Sequence, residues 1–228
     1  MVDILGWKDW VRRSVSDPEV RAAVAEGINL IVESQALQTR AVLGDGAFGE
    51  QNRVDPQFSY FSDTFVLSAR AIPGAAIYIK FSLAQLCRFL LLEGLYTRGA
   101  IVVGKAIHTG QVLYGPAIVD AYLLESQVAK YPRIILTEQA DALFGPHFQN
   151  ETDADGLRYL DFLGTTLNLS DGEREYSMLR ALIEANLERD SKDLGLMAKH
   201  YWLLRHVETA HAALQAALAR TSPTRTEE

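Results

Sequence analysis

Hydrophobic and polar positions follow two periods along this chain, and the period identifies the elements. Short apolar runs with β-branched or aromatic residues predict strands, whereas apolar residues recurring every three or four positions predict helices. The predicted strands are Met1–Gly6, Gln57–Phe61, Thr64–Ala69, Gly99–Gly104, its hairpin partner Ala106–Leu113, Arg133–Thr137, and Leu157–Leu163 after an Asp155-Gly156 turn. The predicted helices are Pro18–Leu43, Ala75–Glu93, Ala117–Ala129 and a largely helical stretch from Glu173 to Leu218.

The order of these elements predicts the fold class. Strand, helix, two strands, helix and strand form a split βαβ order that is typical of a ferredoxin-like topology. We therefore predict an α+β protein with a ferredoxin-like βαββαβ core over residues 1–165 and a helical C-terminal appendage over residues 166–220. The polar tail, residues 221–228, is expected to be disordered. A central strand of typical length would begin before Met1, so we expect either a short first strand or a start that lies inside the strand.

Composition narrows the classes of partner. The chain has 228 residues, of which 48% are hydrophobic, and its net charge is -7, which disfavours binding to a nucleic-acid backbone. Its single cysteine, Cys87, cannot form an intrachain disulfide. The N-terminus lacks the pattern of a signal peptide, and Gln85, Arg88 and Glu93 interrupt the most apolar run, Leu83–Leu95. These features predict a cytoplasmic protein with no membrane span.

Two aspartates stand in positions that suggest metal binding. Asp3 lies inside the first apolar strand, and Asp63 lies at the tip of the predicted hairpin. A carboxylate within an apolar strand is costly unless it is paired or bound to a metal. The split βαβ order makes the first and third strands neighbours, so the two carboxylates can meet and hold Mg²⁺ or Mn²⁺ against a triphosphate. The alternatives are a strand-end aspartate at Asp3 and a turn-forming aspartate at Asp63.

Five segments in sequence order resemble one enzyme family. They are Val2–Lys8, Tyr60–Thr64, Arg98–Gly104, Tyr114–Tyr122 and Tyr131–Ile134. Together they resemble the class III adenylyl and guanylyl cyclases. Within that class the likeness is greatest to the stand-alone pyrimidine cyclases of bacterial Pycsar anti-phage defence, which are similar in the Asp-Ile-Leu-Gly and Gly-Pro-Ala motifs and in a helical C-terminal extension.

The resemblance implies a reaction and a set of residues. The ribose 3′-oxygen would attack the α-phosphorus of a nucleoside triphosphate, and pyrophosphate would leave, with two Mg²⁺ or Mn²⁺ ions per active site. It implies that Asp3 and Asp63 are catalytic and that Asp3, Ile4 and Asp63 hold metal. It also implies substrate-binding residues, which are Leu5, Gly6, Trp7, Ser59, Tyr60, Arg98 and Arg133. Backbone N–H groups of Ile4–Trp7 are expected to cradle phosphates, with Gly6 allowing the close approach.

The chain departs from the purine-specific members at two helix positions. Those members carry Asn and Arg after the Gly-Pro position, where this chain has Val119 and Leu123. Arg98, Lys105 and Arg133 can supply positive charge instead, although each can equally be a solvated surface residue.

The resemblance also implies which nucleotide base the substrate carries and how the subunits assemble. The adenine-selecting Lys is replaced by Ser59, with Tyr60 beside it, either as a pyrimidine discriminator or as an ordinary strand aromatic. We expect a cyclic pyrimidine mononucleotide, from UTP in preference to CTP, as a second messenger read by a separate effector protein. The alternatives are a purine-specific cyclase and an inactive nucleotide-binding homologue. A head-to-tail homodimer with composite sites is expected, with Tyr114–Tyr122 acting across the interface.

Two further signals carry no functional prediction. Gly44–Gly49 matches G-x-G-x-x-G but follows a predicted helix rather than a strand, so we interpret it as a loop. The five histidines are scattered, and the last three lie on the predicted C-terminal helices without a carboxylate at metal spacing. They are His108, His147, His200, His206 and His211.

Overall fold

The computed structural model describes residues 1–43, 54–110, 112–145, 150–165 and 172–221. The predicted Gly44–Gly49 loop and the tail after residue 221 therefore lie outside the described residues. The chain is an α+β protein that divides into two compact units, Met1–Phe162 and Leu163–Glu228. The functional roles predicted for the two parts stay predictions.

Nine strands and eight α-helices are described. The strands are β1 Val2–Ile4, β2 Gln57–Phe61, β3 Thr64–Ser68, β4 Thr97–Ile101, β5 Ile107–Thr109, β6 Val112–Tyr114, β7 Ile134–Leu136, β8 Glu151–Thr152 and β9 Arg158–Tyr159. The helices are α1 Trp7–Ser14, α2 Pro18–Leu43, α3 Pro73–Leu92, α4 Pro116–Leu123, α5 Glu138–Phe144, α6 Phe162–Thr165, α7 Gly172–Arg189 and α8 Leu194–Thr221. A π-helical turn, Leu124–Val128, continues α4.

A seven-stranded sheet forms the centre of the first unit. Its strand order is β2-β3-β1-β4-β7-β9-β8, and only the β4–β7 pair is parallel. Helices α1 and α2 connect β1 to β2, and α3 connects β3 to β4. Strand β1 therefore lies between β3 and β4, although both strands follow it by many residues.

Strand β1 is short but strictly alternating. Val2 and Ile4 are buried, and Asp3 between them is half-buried. Because successive side chains point to opposite faces, Asp3 faces away from the core that Val2 and Ile4 enter. Asp3 is opposite Thr64 of β3 on one side and Arg98 of β4 on the other, so these three side chains share one face of the sheet.

Helix α3 is the main apolar helix of the first unit. By length and composition it is long and apolar enough to cross a membrane, and half of its apolar window is buried inside the protein. Leu83, Cys87 and Leu90 are among its core residues. Burial also raises the pKa of the Cys87 thiol to about 12, so it is a buried hydrophobe rather than a reactive thiol.

Three helices are absent from the sequence prediction, and one of them, α6, begins within the predicted strand Leu157–Leu163. Half of the residues of helix α1 are charged and it buries only Trp7, so it lacks a long apolar period. Helix α5 is short, and its Thr137 side chain accepts a hydrogen bond from the Ala140 N–H as an N-cap. Short helices give little periodic signal and depend on packing against neighbouring elements, α1 on α2 and α5 on α3 and β7.

The predicted pairing of Ala106–Leu113 with the strand before it is wrong. Strand β4 ends at Ile101, and β5 and β6 pair with each other in a separate two-stranded sheet. Gly115 ends this hairpin with a φ of 138°, and a Cβ there would lie 2.7 Å from the Lys105 carbonyl oxygen. The Gly-Pro step is therefore required sterically where α4 begins.

Candidate functional site

Asp3 and Asp63 lie side by side where the internal strand β1 meets the β2–β3 turn. The Ile4 N–H donates a hydrogen bond to the Asp63 carbonyl oxygen at 2.9 Å, which ties the end of β1 to the β2–β3 turn. Thr64 Oγ1 donates to Asp3 Oδ1 at 3.2 Å. Ser62 makes the turn possible by adopting a left-handed conformation, with φ 57°. Two residues sixty positions apart in sequence are thereby brought together.

The electrostatics around these two aspartates favour a bound cation. Burial, together with the charges of Asp63 and Glu125, raises the pKa of Asp3 to about 6. The hydrogen bond from Thr64 and the charge of Arg98 oppose this rise. Two carboxylates held this close repel each other, and a divalent cation between them would remove that cost.

The connection after β1 offers fewer phosphate-binding groups than predicted. The N–H groups of Ile4 and Leu5 already donate to the carbonyl oxygens of Asp63 and Tyr96. Gly6 adopts φ 74° at the start of α1, and no side chain caps that helix. The first N–H groups of an α-helix have no acceptor within the helix. The cradle is therefore restricted to the N–H groups from Gly6 onward.

Ile4 and Trp7 can contribute only through their main chains. The Ile4 side chain is buried and apolar and its N–H is occupied, so its carbonyl oxygen is the only atom it can offer to a metal. The Trp7 side chain is also buried.

Arg98 reaches the site but is already paired. It lies directly across from Asp3, and its Nε donates to Glu125 Oε1 at 2.7 Å. Glu125 is only 5% exposed and comes from the π-helical turn that follows α4. The guanidinium therefore balances a buried carboxylate, which leaves less of its charge for a triphosphate.

Arg133 is not brought to the site. Its side chain is fully buried, and its guanidinium pairs with the carboxylates of Asp153 and Asp155. The contact from Nη1 to Asp155 Oδ1 is 3.1 Å. These two carboxylates come from the segment between β8 and β9, so Arg133 fastens that hairpin to the sheet.

Ser59 and Tyr60 point to opposite faces of β2. Ser59 lies opposite Val66 on the face that carries Asp3, whereas Tyr60 lies opposite buried Phe65 on the other face. Ser59 Oγ lies 2.8 Å from His108 Nε2. A nucleotide pocket on the Asp3 face of one subunit can therefore include the Ser59 side chain, whereas Tyr60 points away from that face.

The sequence analysis missed Glu125 and His108. Glu125 lies in a helical stretch that also carries Asp120, Ser126 and Gln127, so no local signal marked it. His108 had no metal spacing, yet it bridges two serines because Ser68 Oγ lies 2.8 Å from its Nδ1. Burial lowers the pKa of His108, which keeps its imidazole neutral near pH 7.

The remaining predicted positions lie on exposed surface. Lys105 is exposed in the connection before β5. Val119 and Leu123 are 56% and 40% exposed on α4. Among the described residues, no group of three or more His, Cys, Asp or Glu side chains is placed to hold a metal ion. The candidate site thus rests on a pair of carboxylates, which suffices for Mg²⁺ when substrate phosphates and water complete the coordination.

No protein-family model matches the chain, and no curated protein matches it significantly.

Proposed function

We propose that this protein is a nucleotidyl cyclase of the class III type that converts a nucleoside triphosphate to a 3′,5′-cyclic monophosphate and pyrophosphate. The observation that carries the proposal is the placement of Asp3 beside Asp63, joined by the hydrogen bond from Ile4 N–H to Asp63 O at 2.9 Å. Two solvent-accessible carboxylates at the end of neighbouring strands are the minimal protein ligands for two-metal phosphoryl chemistry.

The topology supports a ferredoxin-like cyclase core. The four strands of the βαββαβ segment follow the order β2-β3-β1-β4 in the sheet, so β1 and β3 are central neighbours. This order places the end of the first strand against the second hairpin without any further element.

The residues present fit divalent metal ions, because burial and mutual repulsion raise the pKa of Asp3 beside Asp63. The Asp3 and Asp63 carboxylates and the Ile4 carbonyl would hold Mg²⁺ or Mn²⁺. Ions bound there would supply charge neutralisation for the triphosphate and acidify the ribose 3′-hydroxyl. In the reaction the 3′-oxygen bonds to the α-phosphorus, the bond from the α-phosphorus to the β-phosphate oxygen breaks, and the hydroxyl proton is released. The Gly6–Trp7 N–H groups orient the phosphates.

A homodimer with composite sites is part of this proposal. Large apolar side chains are exposed on the β5–β6 hairpin and on the adjoining helix α4. They are Ile107, Val112, Tyr114, Val119, Tyr122 and Leu123. A surface of this kind typically marks a protein contact, and a second copy related by two-fold symmetry would cover it. The partner would then close the base and ribose side of the site.

We propose a pyrimidine substrate, UTP in preference to CTP. Ser59 is small and neutral where purine-specific cyclases carry an adenine-selecting Lys, and its hydroxyl is held by His108. The product would act as a messenger read by a separate effector, as in the anti-phage systems that the sequence resembles. A purine-specific cyclase is less consistent with Ser59.

A second candidate is a nucleotide-binding protein that has lost catalysis. Arg98 is paired with Glu125, Arg133 is buried in its own ion pairs, and Val119 and Leu123 are apolar. Stabilisation of the negative charge in the transition state would then depend on the metal ions alone.

One experiment tests both candidates. The purified protein is incubated with each of the four ribonucleoside triphosphates and Mn²⁺, and products are identified by mass. Cyclic UMP from the wild type, but not from Asp63→Ala, supports the cyclase. Nucleotide binding by calorimetry without any cyclic product supports the inactive homologue.

A further inference from the structure

The first unit contains a cavity of about 620 Å³ that is not lined by the two aspartates. It lies between α3, α5, the segment that follows β4 and the start of α4. Neither Asp3 nor Asp63 is among the described residues that line it. Its volume is within the range of small-molecule sites, roughly 300–1,000 Å³.

Most of the cavity wall is apolar. Ala76 and Leu83 of α3 and Phe144 of α5 are buried where they line it. Ile79 and Leu143 line it from the same two helices and are half-buried. Such a wall would accept an aliphatic or aromatic body, because removal of apolar surface from water is favourable.

One side of the cavity carries hydrogen-bonding groups without charge. His108 and Ser68 both line it, and Ser68 Oγ lies 2.8 Å from His108 Nδ1. The other ring nitrogen of His108 contacts Ser59 Oγ at 2.8 Å, so the imidazole is fixed from both sides. A neutral imidazole donates through one nitrogen and accepts through the other, so the cluster is an oriented polar wall.

The charged groups of the cavity favour an anion. Lys105 and Arg70 line it, against the single carboxylate of Asp55. Lys105 is exposed, so its ammonium can turn toward a bound headgroup at little desolvation cost.

We propose that this cavity binds a small amphipathic monoanion, with its apolar body against Ile79, Leu83 and Phe144 and its carboxylate toward Lys105. The polar wall of Ser68 and His108 would orient the end of the ligand nearest to it. Asp3 and Asp63 do not line the cavity, although its His108 contacts Ser59, and ligand binding there does not depend on the proposed cyclase activity.

Calorimetry with octanoate and with 1-octanol tests the proposal. Both ligands share the apolar body, and only octanoate carries charge. We expect the wild type to bind octanoate more tightly than octanol. Lys105→Gln should weaken octanoate by about threefold to tenfold and leave octanol unchanged, since an exposed charge pair is of modest strength.

A filling substitution tests the position of the apolar body. Ile79→Trp should weaken both ligands by roughly tenfold or more, because the larger side chain occupies the cavity. Phe81→Trp is the matched control, since it lies on the same helix but outside the described lining residues. Leu143→Trp provides a second filling variant on α5 if Ile79→Trp does not fold by circular dichroism. Absence of octanoate binding at about 1 mM would overturn the proposal. Equal octanoate affinity in a folded filling variant, or equal affinity for octanoate and octanol in the wild type, would overturn it too.

Discussion

Thr64 Oγ1 donates a hydrogen bond to Asp3 Oδ1 at 3.2 Å, from the first residue after the turn that carries Asp63. This bond fixes the rotation of the Asp3 carboxylate on the face of the sheet, beside the second aspartate. The geometry is set by the strand register Asp3↔Thr64, so it needs no ligand to form. The arrangement of Asp3 beside Asp63 is therefore built into the strand register, and a cation that bound there would find the carboxylate already oriented.

Asp63→Ala should reduce cyclic nucleotide formation by more than about 100-fold, because a metal ligand contributes at least as much as its outer-shell partners. The melting temperature should change little, since the side chain lies at a hairpin tip. Product is measured by mass at saturating Mn²⁺. Asp9→Asn is the control, because its exposed carboxylate lies on α1. Product equal to wild type in Asp63→Ala would show that Asp63 only shapes the turn.

Asp3→Asn should stabilise the protein at pH 7 when EDTA is present. Burial and Asp63 raise the pKa of Asp3 to about 6, so the charge on Asp3 destabilises the folded state. The penalty grows from the unfolded pKa of about 4 up to about pH 6 and is complete at pH 7. Allowing for solvent screening, the gain should be about 1 kcal/mol. Added Mn²⁺ should stabilise the wild type and not the variant. Urea denaturation measures both effects, and a variant that is less stable than wild type in EDTA contradicts the repulsion.

Arg133→Met should lower the free energy of unfolding by about 3–5 kcal/mol, because it leaves the buried Asp153 carboxylate without its cation. Arg133 also lowers the pKa of Asp155 by hydrogen bonding. That contribution to stability is present above the unfolded pKa and is lost as pH falls below about 4. The variant should thus lose less stability on acidification than wild type. Arg13→Met, which breaks an exposed pair with Asp9, should cost less than about 1 kcal/mol.

Ser59→Ala and Tyr60→Ala should affect base choice differently. Ser59 shares the face of Asp3, so its loss should change the ratio of UTP to CTP turnover. Tyr60 lies on the opposite face, so its loss should reduce turnover of all four triphosphates by a similar factor. Rates are compared at fixed Mn²⁺ with melting temperature as control. A base-selective effect of Tyr60→Ala would mean that it reaches the base across a dimer interface.

Mixing two inactive chains tests the composite site. One chain carries Asp63→Ala, and the other carries Val119→Glu, an exposed position on α4 that leaves the core intact. A heterodimer should contain one intact site and regain some activity, up to about half of one wild-type dimer. Native mass spectrometry shows whether the heterodimer forms. A heterodimer that forms and stays inactive would place the whole site within one chain.

Local patterns in the sequence determine the α+β class and several elements. The Gln57–Phe61 and Thr64–Ala69 runs appear as β2 and β3 within one residue, because aromatic and β-branched residues around a two-residue turn leave few alternatives. Helix α3, predicted over Ala75–Glu93 from its apolar residues, is likewise found at Pro73–Leu92. Helix α1 and the β5–β6 hairpin were not predicted, since neither has a long apolar period and each is stabilised by contacts elsewhere.

For the candidate site, the sequence alone determined which carboxylates are unusual: an aspartate inside an apolar strand and another at a hairpin tip. Only the tertiary structure decided which carboxylates the two arginine side chains pair with. Arg98 and Arg133 look alike in sequence, yet one lies across from Asp3 against Glu125 and the other is buried on Asp153 and Asp155. The physical reason is that burial of an ion requires a partner, and that partner comes from an element distant in sequence, which no local pattern reveals.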